Sequence, residues 1–293
     1  MSSLVYPAAD LRVDLPAELE QIAESVAVQV GEVVDRAPGS RLGISYSGGV
    51  DSTVLAALTA RALGRARTVL LLGISPSLAR RERAFAHRQA EQLGLEVIEV
   101  ETEEIEDPNY VANGIDRCYF CKSELFTRFD HLDLPGIAAV AYGENADDSR
   151  RPDRPGQRAA GEHQVLRPLV GATKAQIRAI ADAMGLISAD KPATPCLSSR
   201  IPHGQEVTAE KLAAIDAAEE AVFAAGFTDC RVRHHGTIAR IEVPVAEFGL
   251  LADPELRARL LEGVKAAGFG YATLDLGGIQ SGSFTLSLMK RPA

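Results

Sequence analysis

The segment Ser47-Gly48-Gly49-Val50-Asp51-Ser52 follows a short apolar run (LGISY) and precedes a helical pattern (STVLAAL). Adjacent glycines let a backbone come close to an oxyanion, and hydroxyls with a helix N-terminus supply the donors. The chemistry this predicts is the binding of a phosphate chain. The spacing is neither that of a Walker loop, which ends in G-K-[ST], nor that of a G-x-G-x-x-G dinucleotide turn. Gly73 closes a second apolar run (LLLG), and Gly143-Glu144-Asn145-Ala146-Asp147-Asp148 closes another. In that stretch Asn145 and Asp148 are candidates to orient a nucleotide or to hold Mg²⁺, whereas Gly73 reads equally as an ordinary strand-end glycine.

The four cysteines are Cys118, Cys121, Cys196 and Cys230. Cys118-x-x-Cys121 suits a redox pair, half a zinc site or two ligands of an iron–sulfur cluster, and no second C-x-x-C completes a zinc site. Cys196 stands between Pro195 and a polar Leu197-Ser198-Ser199-Arg200, the setting of a reactive thiol more than of a buried small hydrophobe. Ser199 and Arg200 adjoin it and are candidates to shape its pocket. Cys230 has no motif around it and reads as structural. Arg231 and Arg233 alternate, so a strand would place both on one face, as a fork for a phosphate or as a charged outer surface. Arg154 and Arg158 are further candidates for phosphate contact, as are Lys122, Lys174 and Lys191 for anions, each against an exposed alternative. His87, His131 and His203 are scattered without ligand spacing.

These groups need elements to hold them. Helical periodicity covers 16–35, and RLGISY, RARTVLLLGIS, LEVIEVETEE and GIAAVAY read as strands. A long amphipathic helix (SLARRERAFAHRQAEQLG) lies between the second and third. The helix after the phosphate loop is expected to open at Asp51 or Ser52. Alternation of strand and helix predicts a parallel α/β sheet with its ligand at the carboxyl ends of the strands. The stretch 149–163, rich in Pro, Gly and Arg, reads as a long functional loop. A helix over 173–186 follows, then KPATPCLSSRIPHGQE, which carries too many breakers for regular structure. Beyond it the pattern is a helix (TAEKLAAIDAAEEAVFAAG), a strand (RVRHHGTIARIEV), a helix over 253–268 and a last strand (YATLDLG). The expected division is a domain over 1–204 and a small α+β domain over 205–293.

The chain has 293 residues, with 31 Lys+Arg against 40 Asp+Glu for a net charge of −9. That balance argues against a protein that tracks a nucleic-acid backbone. No apolar run approaches the roughly 20 residues that span a bilayer, and the acidic N-terminus lacks a signal-peptide pattern. A cytoplasmic protein with reduced thiols is expected.

In its context the Ser47–Ser52 loop resembles the pyrophosphate (PP) loop of the ATP pyrophosphatase superfamily, whose domain is adenine nucleotide alpha hydrolase-like. The segments RCYFCKSELF (117–126), GENADD, RPGQRAA (154–160), KPATPCLSSRIPHG (191–204) and RVRHHGTIARIEV (231–243) together resemble the LarE-type ATP-dependent sulfur transferases, from about residue 16 to residue 278. The resemblance implies ATP and Mg²⁺ bound through Ser47, Gly48, Gly49, Asp51, Ser52, Gly73, Asn145 and Asp148. It implies a pyridinium-3,5-biscarboxylic acid mononucleotide substrate, its phosphate held by Arg231 and Arg233. The carboxylates are adenylated and then thiolated, giving the precursor of the nickel-pincer nucleotide that matures lactate racemase. Cys196 matches the sulfur-bearing position. In one branch of the family that cysteine is sacrificed to dehydroalanine. In another, three cysteines hold a [4Fe–4S] cluster whose open iron carries sulfide from a sulfide or persulfide source. Cys118, Cys121 and Cys196 lead to the expectation of the cluster branch. Glu219 and Glu242 match acidic positions near the family's active centre that serve as metal ligands in the cysteine-dependent branch. A homo-oligomer is implied as well. The rival readings are tRNA thiolation, an amide-forming ligase of the same superfamily and a nucleotide sensor without chemistry.

Overall fold

The computed structural model of the chain describes residues 7–37, 39–131, 136–149 and 155–279. Two compact units emerge. The first gathers the chain up to Ser75 with Glu82–Glu103 and Cys118–Thr194; the second gathers Pro76–Arg81, Glu104–Arg117 and the chain from Pro195 onward. Among the described residues, no helix is long and apolar enough to cross a membrane.

In chain order the elements are α1 (Ala17–Val34), β1 (Arg41–Tyr46), α2 (Val50–Leu63), β2 (Thr68–Ile74), α3 (Arg80–Leu93), β3 (Glu96–Glu101), the short α4 (Pro108–Val111), α5 (Arg117–His131) and β4 (Ile137–Tyr142). There follow the short α6 (Ala146–Ser149), α7 (Pro155–Glu162), α8 (Lys174–Ala183), α9 (Ala209–Ala224), β5 (Arg231–His235), β6 (Ile238–Glu242), α10 (Pro254–Ala266) and β7 (Tyr271–Leu274).

The first unit is a parallel four-stranded sheet in the order β3-β2-β1-β4. Its central strands read as continuous apolar runs because both faces are covered. In β2, Val69 and Leu71 belong to a core cluster with Phe126 and Phe129 of α5 and Ala159 and Ala160 of α7. Leu70 and Leu72, alternating with them, are equally buried. Helix α2 packs against α1 and α8 and is buried around most of its circumference, which is why its apolar residues show no clean stripe. Helix α3 ends where Gly94 turns, as its sequence predicts.

The second unit holds a three-stranded sheet, β5-β6-β7, with β5 antiparallel and β7 parallel to β6. Its helices α9 and α10 pack on each other.

Three expectations are corrected. The segment 149–163 is not one long loop: Pro155–Glu162 is helix α7, started by a proline at its first position and held by the fully buried Ala159 and Ala160. RVRHHGTIARIEV is not a single strand but the hairpin β5–β6, which turns at Gly236-Thr237 and pairs Arg231 with Glu242. Helix α2 opens at Val50, one residue early, because Gly49 already serves as its N-cap.

Candidate functional site

The phosphate loop leaves β1 at Tyr46 and enters α2 at Val50. Gly48 has φ +67, and a Cβ there would lie 2.8 Å from that of Ala86, so glycine is required on both counts. The loop is internally bonded: the Ser52 hydroxyl donates to Gly49 O at 3.1 Å and lies 3.3 Å from the Ser47 hydroxyl. No side chain caps the N-terminus of α2. A glycine cradle against an uncapped helix of 14 residues fits a phosphate chain, and Ser47, Gly48, Gly49, Asp51 and Ser52 stand together in it.

The β4 end of the sheet closes on the same loop. A Cβ on Gly143 would meet Ser52 N at 2.9 Å and Asp51 C at 3.0 Å, so this glycine lets two backbones touch. Asn145, buried, donates through Nδ2 to Asp51 at 3.1 Å and to Asp148 at 2.9 Å, while its Oδ1 accepts from the amides of Asp147 and Asp148. Lys174, at the start of α8, puts Nζ 2.5 Å from Asp51. Asn145, and Asp148 through it, are thus joined to the phosphate loop. Gly73 is the last residue but one of β2, where a Cβ would run into Leu125 Cδ1 at 2.6 Å. Lys191 pairs with Glu82 at 2.5 Å and stacks over Phe85 at 4.2 Å.

Helix α5 carries Cys118, exposed, and Cys121, half-buried, on one face at a spacing of three. Lys122 donates to the hydroxyl of Tyr142 and lies over its ring at 3.8 Å. Arg158 stacks on Tyr119 at 3.7 Å, which takes it out of the free loop that the sequence suggests. Arg154 lies outside the described residues.

In the second unit, Cys196 is exposed and forms the N-cap of a short 3₁₀ turn, Leu197–Arg200. Arg200 is 1% exposed. Its Nη1 donates to Pro195 O at 2.7 Å, to Cys196 O at 3.4 Å and to the Ser199 hydroxyl at 2.9 Å, and its other nitrogens hold Glu219 at 2.8 and 3.2 Å. Burial works against the Arg200 charge, but Glu219 outweighs it and raises the pKa further. Arg233 grips Glu242 by two bonds (3.0 and 2.9 Å) and donates to Ser199 O at 3.0 Å. Arg231 donates to Asp229 and to Cys230 O. Both arginines are buried, so β5 turns its Arg face inward and not outward. Cys230 is buried too, and burial pushes its thiol well above the ordinary range, as suits an inert structural cysteine.

Residues 22–113 match the model of the NAD synthase family. Over 250 residues the chain is 41% identical to the uncharacterized protein slr1717 of Synechocystis, which covers 84% of this chain and 92% of that one. It is 32% identical, over 255 residues, to the pyridinium-3,5-bisthiocarboxylic acid mononucleotide synthase of Lactiplantibacillus plantarum, covering 85% of this chain and 91% of the other. The chain belongs to the LarE family.

As a LarE-family chain with a PP-loop domain, it is an ATP-using enzyme. The cluster expected on Cys118, Cys121 and Cys196 is a different matter. Among the described residues no three His, Cys, Asp or Glu side chains stand together as a set that would hold a metal ion, and Glu219 and Glu242 are engaged with Arg200 and Arg233. Cys118 and Cys121 belong to the first unit and Cys196 to the second, and the steps proposed below use Cys196 alone. Sequence reading left Gly143 and the Lys174–Asp51 pair unassigned. For Gly143 the signal is its place between an apolar strand and an acidic stretch; for Lys174 there is none, since its partner is 123 residues away.

Proposed function

We propose that this LarE-family chain inserts sulfur into pyridinium-3,5-biscarboxylic acid mononucleotide at the expense of ATP, giving the thiocarboxylate precursor of the nickel-pincer nucleotide. The triphosphate takes the cradle at Gly48 and the α2 N-terminus, with Mg²⁺ neutralising its charge. A substrate carboxylate attacks the α-phosphorus, and pyrophosphate leaves. Adenylation converts a poor electrophile into one that a thiolate can attack.

The Cys196 thiolate then attacks the acyl carbon and AMP departs, leaving a thioester. Loss of the Cys196 Cα proton to a base and cleavage of its Cβ–S bond release the thiocarboxylate and leave dehydroalanine. Each chain supplies one sulfur. The observation that carries this reading is Cys196 itself: an exposed thiol on a turn whose carbonyls are gripped by a buried arginine. Held in one geometry, a nucleophile gains the advantage of proximity over one in solution. Arg231 and Arg233 are proposed to serve the substrate phosphate, with Glu242 orienting Arg233 and Glu219 holding Arg200 beside Cys196.

The test is incubation with ATP, Mg²⁺ and the biscarboxylate mononucleotide, following pyrophosphate and the intact mass of the protein. Substrate-dependent pyrophosphate, and a chain lighter by one H₂S at Cys196, are expected; Cys196→Ala should release pyrophosphate without thiocarboxylate. Absence of substrate-dependent pyrophosphate would reject the reading. Iron and acid-labile sulfide in anaerobically purified protein, lost in Cys118→Ala, would replace the sacrificial step by cluster-borne sulfide.

A further inference from the structure

Helix α3 meets the phosphate loop through two fully buried residues, Ala86 and Gln89. Gln89 lies 41 positions from Gly48, and its Nε2 donates to the Gly48 carbonyl at 2.6 Å. Lys191 Nζ approaches the same oxygen at 3.5 Å. A trans peptide is planar, so a carbonyl pulled one way turns the next N–H the other way. With Gly48 O drawn toward α3, the N–H of Gly49 faces the opposite side, where it donates to the Ser47 hydroxyl at 3.4 Å. Gly49 is also the N-cap of α2, so this amide, held by a long bond to Ser47, lies beside the first-turn amides that no N-cap side chain takes up. The other end of the Gln89 amide, Oε1, is buried with no partner among the described residues. An unpaired buried acceptor is costly, and a packing role alone would be served better by Leu or Met. Among the described residues the side chain makes one bond, and that bond sets the orientation of one peptide.

We propose that Gln89 is a positioning residue for ATP. By holding the Gly48–Gly49 peptide with its N–H outward, it keeps the loop in the conformation that receives the triphosphate before the nucleotide arrives. This rests on the reading of the loop as the ATP site. Without the donor, the peptide is free to flip, and the loop must be reordered each time ATP binds.

The experiment compares ATP·Mg²⁺ binding by calorimetry, without the second substrate, for wild type, Gln89→Met and Gln89→Glu. Met keeps the volume and removes the donor. Glu in a buried site titrates upward, and donates to Gly48 O when protonated but repels it when ionised. Gln89→Met is expected to bind ATP about tenfold more weakly at every pH, with KM for ATP raised and kcat and KM for the carboxylate substrate little changed. Gln89→Glu is expected to bind weakly at pH 8.5 and to recover toward wild-type affinity as pH falls to 6. A structural role alone would move the thermal transition of Gln89→Glu in step with its affinity, whereas a positioning role predicts recovery of affinity at a nearly constant transition. Wild-type affinity in both variants overturns the proposal, as does equal weakening of both across the whole pH range. Failure of the wild type to bind ATP instead overturns the reading of the site. Should Gln89→Met lose its cooperative thermal transition, the pH dependence of Gln89→Glu decides alone.

Discussion

Asn145 and Asp51, 94 residues apart, are joined side chain to side chain, Nδ2 donating to Oδ1 at 3.1 Å. The amide stands at the end of β4 and the carboxylate in the first turn of α2. Asn145 also binds Asp148 and the amides of its own loop, so one side chain fixes the acidic loop and ties it to the phosphate loop. A hydrogen bond to a charged group is worth about 1.5–3 kcal/mol. Asn145→Ala should therefore reduce kcat/KM for ATP by about ten- to a hundredfold, measured by initial rates of pyrophosphate release. Asn145 is buried and also holds its own loop, so the thermal transition should fall as well, and rates taken well below that transition separate the loss of activity from the loss of stability.

Arg200 and Glu219 form a pair in which neither side chain is more than 8% exposed. Removing one member of such a pair leaves an uncompensated buried charge, at about 3–5 kcal/mol. Arg200→Met should lower the urea midpoint by the equivalent of that loss. Adding Glu219→Gln should restore part of it, because the stranded carboxylate is gone. The Pro195 and Cys196 carbonyls stay without their donor in both variants, so thiocarboxylate formation should not return with the stability. Urea unfolding and product yield on the same preparations separate the two effects.

Local signals carried the sheet. The runs around Ile44, Leu71 and Val140 are short, apolar and bounded by glycine or polar residues, and the phosphate loop lies between strand and helix where such loops bind. Helix α7 was hidden because Pro155 and Gly156 look like loop residues until Ala159 and Ala160 are seen against Phe126. The hairpin's signal was Gly236, which takes φ +63 at the first central position of a two-residue Gly-X turn, but it lies inside a run of strand-forming residues that reads as continuous. Pairings such as Arg200 with Glu219 and Arg233 with Glu242 left no mark: alternation showed that the arginines share a face, but only their partners decide that the face is buried.

His234 and His235 end β5, and both have pKa values below the ordinary histidine range. For His234 the cause is burial, then the charges of Lys211 and His235; for His235 it is burial, then Arg240 and Arg233. The folded chain thus resists protons that the unfolded chain accepts near pH 6.5. The stability this contributes is full above that value and is lost as pH falls through it toward the depressed folded values. Glu99, lowered to about 2 mainly by its bond from Arg83, adds a separate loss that begins only below its ordinary value of 4.5. Urea midpoints should therefore decline between pH 7.5 and 5.5 in the wild type. A His234→Gln/His235→Gln variant should show a flatter profile in that window and an unchanged decline below it.

Gly143 leaves no room for a side chain between the two loops. A methyl group there would press on Ser52 N at 2.9 Å and Asp51 C at 3.0 Å, and both are backbone atoms that no rotamer change can move aside. Overpacking of this kind costs about 1–3 kcal/mol. The strain is relieved by shifting the first turn of α2, which carries the uncapped amides proposed to bind phosphate. Gly143→Ala should thus lower the thermal transition by several degrees and weaken ATP binding by more than tenfold. Gly161→Ala, where a Cβ meets nothing within 4 Å, is the matched control and should leave ATP binding unchanged. Equal ATP affinity in the two variants would show that the α2 N-terminus tolerates displacement, and with it that the triphosphate does not depend on those amides.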